Sequence, residues 1–247
     1  IQFCQSVPFY GEIIVCLDSP AVQEILPKIE RPMTTYGRSR DAAYRAENLR
    51  FKENFSTYSV FRAEENLGDI QLNVPGEHNV LNSLAAVVLA LELGLSFETI
   101  QSGMTSYQGV RRRFDIKGIH NDIIVVDDYA HHPTEVEATL KAAKNGWDRR
   151  VIAVFQPHLF TRTQEFFREF AQALQLADLV IITDIYPARE QPIPGVTAKL
   201  IVDECQKAMG ENCIYLADLD ELETILDPIV NPNDLILTMG AGSIWRY

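Results

Sequence analysis

Residues 122–135 read DIIVVDDYAHHPTE, and this stretch decides the fold. Its first six residues form a short, almost continuously apolar run, which is typical of a buried strand. A polar turn follows, in which Pro133 suits the first turn of a helix, and residues 135–144 continue as an amphipathic segment. The stretch therefore predicts a strand, a polar loop and a helix in succession.

The same strand–loop–helix pattern recurs towards the C-terminus. Further apolar strands are predicted at residues 151–155, 179–183, 213–216 and 235–239, and further helices at 163–176 and 197–209. Apolar strands that alternate with helices are typical of a parallel sheet covered on both faces. We therefore expect an α/β fold in which a Rossmann-like domain with a mainly parallel sheet forms the C-terminal part.

The sequence before this domain has a different texture. Residues 1–75 predict an α/β segment followed by a strand-rich stretch, with strands at 12–17, 45–51, 57–62 and 69–74 and a helix at 20–26. A long helix should follow Pro75-Gly76 and end at Gly94, because Val80, Leu84, Val88 and Leu91 share one helical face. A second helix is predicted at 97–106. The expected domains are 1–113 and 114–247.

Composition excludes several classes of function. The chain has 247 residues and a net charge of -12, so its surface repels nucleic-acid phosphates and anionic lipid. No apolar run approaches the roughly 20 residues of a membrane span. The four cysteines lack the two-residue gap of a redox or zinc motif and are expected to be reduced thiols. We expect a cytoplasmic protein, and the start at Ile1 suggests a piece of a longer chain.

Polar side chains are concentrated in the loops after the predicted strands. Ligands of open parallel sheets bind beyond the carboxyl ends of the strands, where these loops gather. The loops at 127–135, 156–163 and 184–190 carry carboxylates, which accept ribose hydroxyls, or arginines, which hold carboxylates or phosphates. In the loop at 240–243, Gly240 and Gly242 are expected to leave backbone N–H groups free to approach an anion. The candidate residues are Asp128, Tyr129, His131, His158 and Arg162. A structural alternative stays open, in which Asp128 or His132 only caps the helix that begins at Pro133.

A second candidate site lies at the start of the long helix. Asn79 and Asn82 are three residues apart and should project from one face, where two carboxamides suit the edge of a purine. Plain helix capping is the alternative. Glu77 and His78 lack a third ligand nearby, so no metal is assigned.

At these residues the sequence resembles the Mur ligase family of peptidoglycan synthesis. The matching stretches are GEHNVLNSLAA (76–86), GVRRRFD (109–115), VDDYAHHPTEV (126–136), FQPHLFTRT (155–163), DIYPAREQPIPGV (184–196) and TMGAGSIW (238–245). The resemblance is greatest to members that join L-alanine to UDP-N-acetylmuramate. It implies that 1–113 is the C-terminal part of a central ATP-binding domain and that 114–247 is the C-terminal ligase domain. The UDP-binding domain, the phosphate loop and most ligands of Mg2+ would be absent.

The resemblance also implies a mechanism and roles. ATP would phosphorylate the substrate carboxylate to an acyl phosphate, which the amine of L-alanine would attack. By this resemblance Asn79 and Asn82 would bind adenine, Asp128 would bind the ribose, and Arg113 would lie at a hinge near the nucleotide. Tyr129 and His131 would contact the acyl phosphate and the amino acid. His158 and Arg162 would orient the amino-acid carboxylate. Many members carry a basic residue where Leu159 stands, and Tyr where Phe160 stands.

Three other functions compete with this interpretation. The related recycling ligase joins a whole tripeptide to the same UDP sugar, and Tyr129 favours the alanine enzyme only slightly. A non-catalytic nucleotide-binding module is the second alternative, because the chain lacks a phosphate loop and is expected to be inactive alone. A redox Rossmann enzyme is disfavoured, because no strand is followed by G-x-G-x-x-G.

Overall fold

Two units make up the chain in the computed structural model, which describes residues 1–247. Unit 1 is Ile1–Gln108 and unit 2 is Gly109–Tyr247. Each has its own sheet and its own hydrophobic core. The mixed α/β fold expected from the sequence is confirmed in both units.

Unit 2 is built on a six-stranded sheet. Its strands are β6 (Asp115–His120), β7 (Ile123–Asp128), β8 (Arg150–Phe155), β9 (Leu179–Thr183), β10 (Cys213–Leu216) and β11 (Asp234–Met239). Their order is β10-β9-β8-β11-β7-β6, and all neighbours are parallel except β6 and β7. The carboxyl ends of β7, β8, β9 and β11 therefore meet at one edge, hereafter the rim.

Helices cover the two faces of this sheet unequally. The helices are α5 (Pro133–Gly146), α6 (Phe160–Leu174), α7 (Lys199–Met209) and α8 (Leu222–Leu226). Side chains of α5, α6 and α7 pack with Val151, Ala153 and Phe155 of β8 in one large core. Val154, on the opposite face of β8, packs with residues of α8 and with Ile244. Burial on both faces explains why these strands are apolar throughout.

Unit 1 has a five-stranded mixed sheet in sequence order. Its strands are β1 (Ile13–Cys16), β2 (Met33–Gly37), β3 (Tyr44–Lys52), β4 (Phe55–Arg62) and β5 (Glu65–Leu72). The pairs β1-β2 and β2-β3 are parallel, and the hairpins β3-β4 and β4-β5 are antiparallel. Two short helices, α1 (Gln2–Gln5) and α2 (Pro20–Ile25), flank β1 in the sequence.

The long helix α3 (Glu77–Glu92) and the next helix, α4 (Phe97–Ser106), complete unit 1. As predicted, Val80, Leu84 and Val88 are fully buried along one face of α3 against the sheet. Gly94 has φ +81, a conformation that favours glycine, and its N–H bonds to the carbonyl of Leu91 just beyond the end of the helix. None of the helices has the length and apolar character needed to cross a membrane.

Two strands are not predicted from the sequence. Strand β2 has five residues and no alternation of apolar and polar side chains. Strand β6 (DIKGIH) lies at the sheet edge, is mostly exposed, and has an irregular register between Ile116 and Gly118. An exposed, bulged edge strand carries no run of buried side chains, so periodicity does not reveal it.

Candidate functional site

Four ring-bearing side chains form a continuous line along the rim of unit 2. Tyr129 and His131 follow β7, His158 follows β8, and Tyr186 follows β9. The ring centroids are 5.1 Å apart for Tyr129 and His131, 6.1 Å for His131 and His158, and 5.8 Å for His158 and Tyr186. Arg162, in the first turn of α6, reaches this line, with its Nη1 3.3 Å from Nδ1 of His158. The structure thus brings together Tyr129, His131, His158 and Arg162.

The hydrogen bonds of the two histidines assign different tautomers to them. Nδ1 of His131 lies 2.8 Å from the carbonyl oxygen of Tyr129, which can only accept, so Nδ1 carries the proton. Nδ1 of His158 faces the guanidinium of Arg162, which can only donate, so Nδ1 is unprotonated. In its neutral form His131 therefore presents an acceptor at Nε2, whereas His158 presents a donor at Nε2.

The environment of His158 favours the neutral form of its imidazole. Partial burial lowers the pKa of His158 below its ordinary value, and the positive charge of Arg162 and the proximity of His131 lower it further. The carboxylate of Glu190 opposes this effect. A neutral His158 beside a permanently charged Arg162 offers two donors to an anion.

Leu159 connects these two residues through an unusual backbone conformation. Its φ of +73 and ψ of 137 place it in a region that side chains other than glycine rarely adopt. The conformation is held on both sides, since Leu159 N donates to the carbonyl of Tyr186 at 3.0 Å and Thr163 N donates to the carbonyl of Leu159 at 3.1 Å. The turn directs the chain from β8 into α6 and so places His158 next to Arg162.

Asp128 is buried and already engaged with the backbone. It is 4% exposed, and its two carboxylate oxygens accept the N–H groups of Phe114 and Ala130, each at 2.8 Å. Burial raises the pKa of Asp128 to about 6, although these two N–H groups and the charge of Arg113 oppose the rise. One lone pair on each oxygen remains for a ligand such as a ribose hydroxyl.

Glu135 and His132 fix the start of α5. His132 is the N-cap of the helix, and the Glu135 carboxylate accepts the N–H groups of His131 and His132 in a capping box. His132 therefore caps the helix, as the structural alternative predicted. Asp128 does not cap it, because its oxygens accept the N–H groups of Phe114 and Ala130. Burial pushes the pKa of Glu135 up, but these N–H groups, the neighbouring His131 and the charge of Arg113 outweigh it, so that its pKa is lowered.

Of the three consecutive arginines, Arg112 makes the most contacts with the rim. Its Nε donates to Asp127 at 3.0 Å and its Nη2 donates to the carbonyl of Gly240 at 2.7 Å. Its guanidinium lies 4.9 Å from the centre of the Tyr129 ring and 5.9 Å from that of Trp245. The resemblance found in the sequence implied a role for Arg113, whose guanidinium is more exposed and lies 5.7 Å from the centre of the Tyr129 ring. Nothing in the run RRR marks Arg112 as the least exposed of the three.

The glycine-rich loop after β11 has a steric function that the sequence analysis did not anticipate. The N–H of Gly240 donates to the carbonyl of Asp128 at 3.1 Å, so it is not free for an anion as had been expected. A Cβ on Gly242 would lie 2.5 Å from Cγ of Tyr186 and 2.4 Å from Oε1 of Gln156. Gly242 thus allows the loops after β8, β9 and β11 to approach each other closely.

The carboxylates of the rim do not suit a magnesium ion. Asp127 is paired with Arg112, Asp128 accepts two backbone N–H groups, Glu135 caps α5, and Glu190 binds the N–H and hydroxyl of Thr161. Mg2+ needs oxygen ligands in near-octahedral geometry, and each of these oxygens already has a partner. No step of a reaction is therefore assigned to Mg2+ bound by this rim.

Unit 1 contains its own candidate site, a cavity of about 630 Å³ between α3, α4 and the end of β5. Asn79 and Asn82 both line it, and the remaining wall is largely apolar, with Ala86, Ile100 and Met104 among its residues. The Asn79 side chain also donates to the carbonyl of Pro75 at 2.7 Å, as a capping contact would. One N–H and the carbonyl oxygen of its amide remain. An apolar slot with two carboxamides suits a purine base.

The two units define an α/β protein with two candidate ligand sites, a rim with histidines and arginines in unit 2 and a largely apolar slot with two carboxamides in unit 1. The glutamate ligase domain of the Mur ligases matches residues 112–242, and the Mur ligase middle domain matches residues 1–90. The chain belongs to the Mur ligase family, which confirms the resemblance found in the sequence.

Three relatives show how similar the chain is to individual members of this family. The UDP-N-acetylmuramate–L-alanine ligase of Geotalea daltonii is 46% identical over 244 residues, which are 99% of this chain and 53% of the relative. The crystal structure of UDP-N-acetylmuramate-alanine ligase from Thermotoga maritima is similar with a TM-score of 0.73 and 31% identity, over 86% of this chain and 45% of that one. A murein peptide ligase from Psychrobacter arcticus is similar with a TM-score of 0.66 and 25% identity, over 98% of this chain and 51% of that one. The chain spans about half the length of the curated relatives it matches.

Proposed function

We propose that this chain carries the amino-acid-handling part and the adenine-binding part of an ATP-dependent ligase that joins L-alanine to UDP-N-acetylmuramate. The observation that carries the proposal is the rim of unit 2, where a donor pair and an acceptor stand side by side. The similarity to UDP-N-acetylmuramate–L-alanine ligases supports the choice of substrates.

The rim residues are suited to bind a free amino acid at both of its ends. Arg162 and the Nε2–H of His158 would hold the carboxylate of L-alanine, because both donate and one carries a permanent charge. The unprotonated Nε2 of His131 would accept a hydrogen bond from the amino group. Fixing both ends orients the amine for attack, and such positioning can contribute several kcal/mol to a reaction between separate molecules.

Tyr129, Arg113 and Asp128 would serve the phosphorylated part of the reaction. Tyr129 lies beside His131, and the guanidinium of Arg113 lies over its ring, so fixed positive charge is available near the site. Asp128 would accept ribose hydroxyls with its remaining lone pairs. ATP, when bound, would supply the activated phosphoryl group, and Asn79 and Asn82 would hold its adenine in the cavity of unit 1.

The recycling ligase that accepts a tripeptide is the second candidate, and the similarity to a murein peptide ligase over 98% of the chain favours keeping it. The test supplies the purified full-length protein that contains this chain with ATP, UDP-N-acetylmuramate and either L-alanine or the tripeptide, and measures release of phosphate. We expect turnover with L-alanine. Turnover with the tripeptide alone would replace the first function by the second, and calorimetry that finds nucleotide binding without turnover on either substrate would favour the binding module.

Arg162→Ala tests the role of the donor pair in the same assay. Loss of a carboxylate-orienting arginine should cost about 2–4 kcal/mol of transition-state stabilisation while the fold stays intact. Arg168→Ala is the matched control, because Arg168 lies on the same helix with an exposed side chain that contacts Phe167. Equal rates for the two variants would remove Arg162 from the site.

Asn79→Ala tests the adenine assignment. The variant should mainly raise the Michaelis constant for ATP, because one polar contact to the base is lost. A change confined to the Michaelis constant for the amino acid would refute the assignment.

A further inference from the structure

Tyr186 belongs to none of the roles assigned so far, yet it contacts a central residue of the rim. Its ring is stacked on the imidazole of His158, with centroids 5.8 Å apart and planes inclined by 13°. The backbone holds the two residues in register, because Tyr186 N donates to Pro157 O at 2.8 Å and Leu159 N donates to Tyr186 O at 3.0 Å. The residues on both sides of His158 are therefore hydrogen-bonded to Tyr186, whose ring is stacked on the imidazole.

Gly242 forms a floor behind the tyrosine ring. A Cβ at this position would lie 2.5 Å from Cγ and 2.8 Å from Cβ of Tyr186, distances that real side chains do not reach. The loop is anchored from the other side by Gln156, a buried amide that accepts the N–H of Ile244 at 3.1 Å. Neither the ring nor the loop can move away without breaking these contacts.

We propose that Tyr186 is a positioning residue for His158, and that residue 242 is glycine so that the tyrosine ring can lie against the imidazole. Arg162 contacts the edge of the imidazole at Nδ1, and Tyr186 contacts its face. Together the two contacts fix both the plane of the ring and its rotation within that plane. The Nε2–H then has one direction, which is the requirement for a donor that orients a small substrate.

Only the purpose of the Nε2–H donor of His158 rests on the proposed function. The placement of the imidazole can be tested without any activity. The experiment records the C2–H signal of His158 by NMR across a pH titration of the purified chain, assigned with a His158→Gln variant. Tyr186→Leu removes the ring current and the cover of the imidazole. We expect the signal to move towards that of an exposed histidine and the pKa of His158 to rise towards its ordinary value. Tyr186→Phe retains the ring and should restore the parent signal and titration.

Gly242→Ala provides a second, independent perturbation. The added methyl group collides with the Tyr186 ring and should shift the His158 signal although neither residue of the stacked pair is changed. Gly118→Ala is the matched control in the same unit, because a Cβ there meets no atom within 4 Å and the residue lies on an edge strand. Thermal unfolding of each variant shows whether unit 2 is folded.

The outcomes separate the inference from the proposed function. Folded Tyr186→Leu or Gly242→Ala protein with an unchanged His158 signal would overturn the positioning role. If the signal shifts as expected and the full-length protein turns over L-alanine, Tyr186→Leu in that protein should raise the Michaelis constant for L-alanine roughly tenfold, and Tyr186→Phe should recover it. A shifted signal in the chain, together with no ligase activity of the full-length protein, would retain the positioning role and refute the function.

Discussion

Replacing Arg112 by alanine should destabilise unit 2 far more than replacing its neighbour Arg111. Asp127 is 2% exposed, and its carboxylate has two side-chain partners, Nε of Arg112 at 3.0 Å and the hydroxyl of Thr238 at 3.2 Å. Removing the guanidinium leaves a buried negative charge with one neutral donor. The carbonyl of Gly240 also loses its bond to Nη2 of Arg112.

The magnitude follows from the burial of the pair. Breaking a buried ion pair by deleting one partner costs about 3–5 kcal/mol, because the remaining charge is left uncompensated. The side chain of Arg112 is 24% exposed, and water can therefore reach part of the vacated space, which places the expected loss near the lower limit, at about 3 kcal/mol. The φ of +60 at residue 112 is unfavourable for arginine and alanine alike and does not change the comparison.

The assay is urea unfolding at pH 7 followed by tryptophan fluorescence. The chain has two tryptophans, Trp147 and Trp245, and both lie in unit 2, so the signal reports on that unit. Arg111→Ala is the control, because Arg111 is exposed, and it should change the free energy of unfolding by less than about 0.5 kcal/mol.

Adding Asp127→Asn to Arg112→Ala removes the orphaned charge. The double variant should therefore regain at least about 1 kcal/mol over the single variant, as a coupling between contacting residues requires. A loss below about 1 kcal/mol for Arg112→Ala, or a double variant no more stable than the single one, would refute the view that this pair holds the rim together.

Three further predictions concern the rim. Arg162→Gln should raise the pKa of His158, because a neighbouring cation is removed, whereas Arg162→Lys should raise it less; an NMR titration measures both, and equal values would contradict the charge effect. Leu159→Gly should be more stable than Leu159→Ala by about 1–2 kcal/mol in urea unfolding, because only glycine relieves the positive φ, and the reverse order would show that no strain is stored there. Burial of Asp128 raises its pKa from 3.8 to about 6, so its contribution to stability is fully present below pH 3.8 and is lost as the pH rises through about 6. Subtracting the pH–stability curve of Asp128→Asn from that of the parent should show this fall, and a flat difference would refute it.

The core strands of unit 2 were predictable because a strand buried on both faces has a distinctive sequence. Strands β7, β8, β9 and β11 are covered on both faces, so nearly every residue must be apolar, and the predicted ends agree with the observed ends within one residue. Strand β5 illustrates the opposite case. It begins at Glu65, four residues before the predicted start, because its first residues are exposed and polar.

The site was predictable as a place but not as a set of contacts. Parallel strands bring their carboxyl ends to one rim, so the residues that follow them had to converge, and Tyr129, His131, His158 and Arg162 do. Arg112 and Arg113 make different contacts, and Arg112 has a positive φ that the sequence does not reveal. The need for glycine at residue 242 likewise depends on a ring from another loop.

The two borders of the unit 2 sheet have a consequence for how the protein behaves at high concentration. Unpaired strand edges are templates on which another molecule can add a strand, and long, flat, apolar edges are the most hazardous. One border here is β10, with only four residues, and the other is β6, which is interrupted by a bulge and carries the charged Lys117. One border is thus short and the other irregular, and both features disfavour intermolecular growth of the sheet of unit 2.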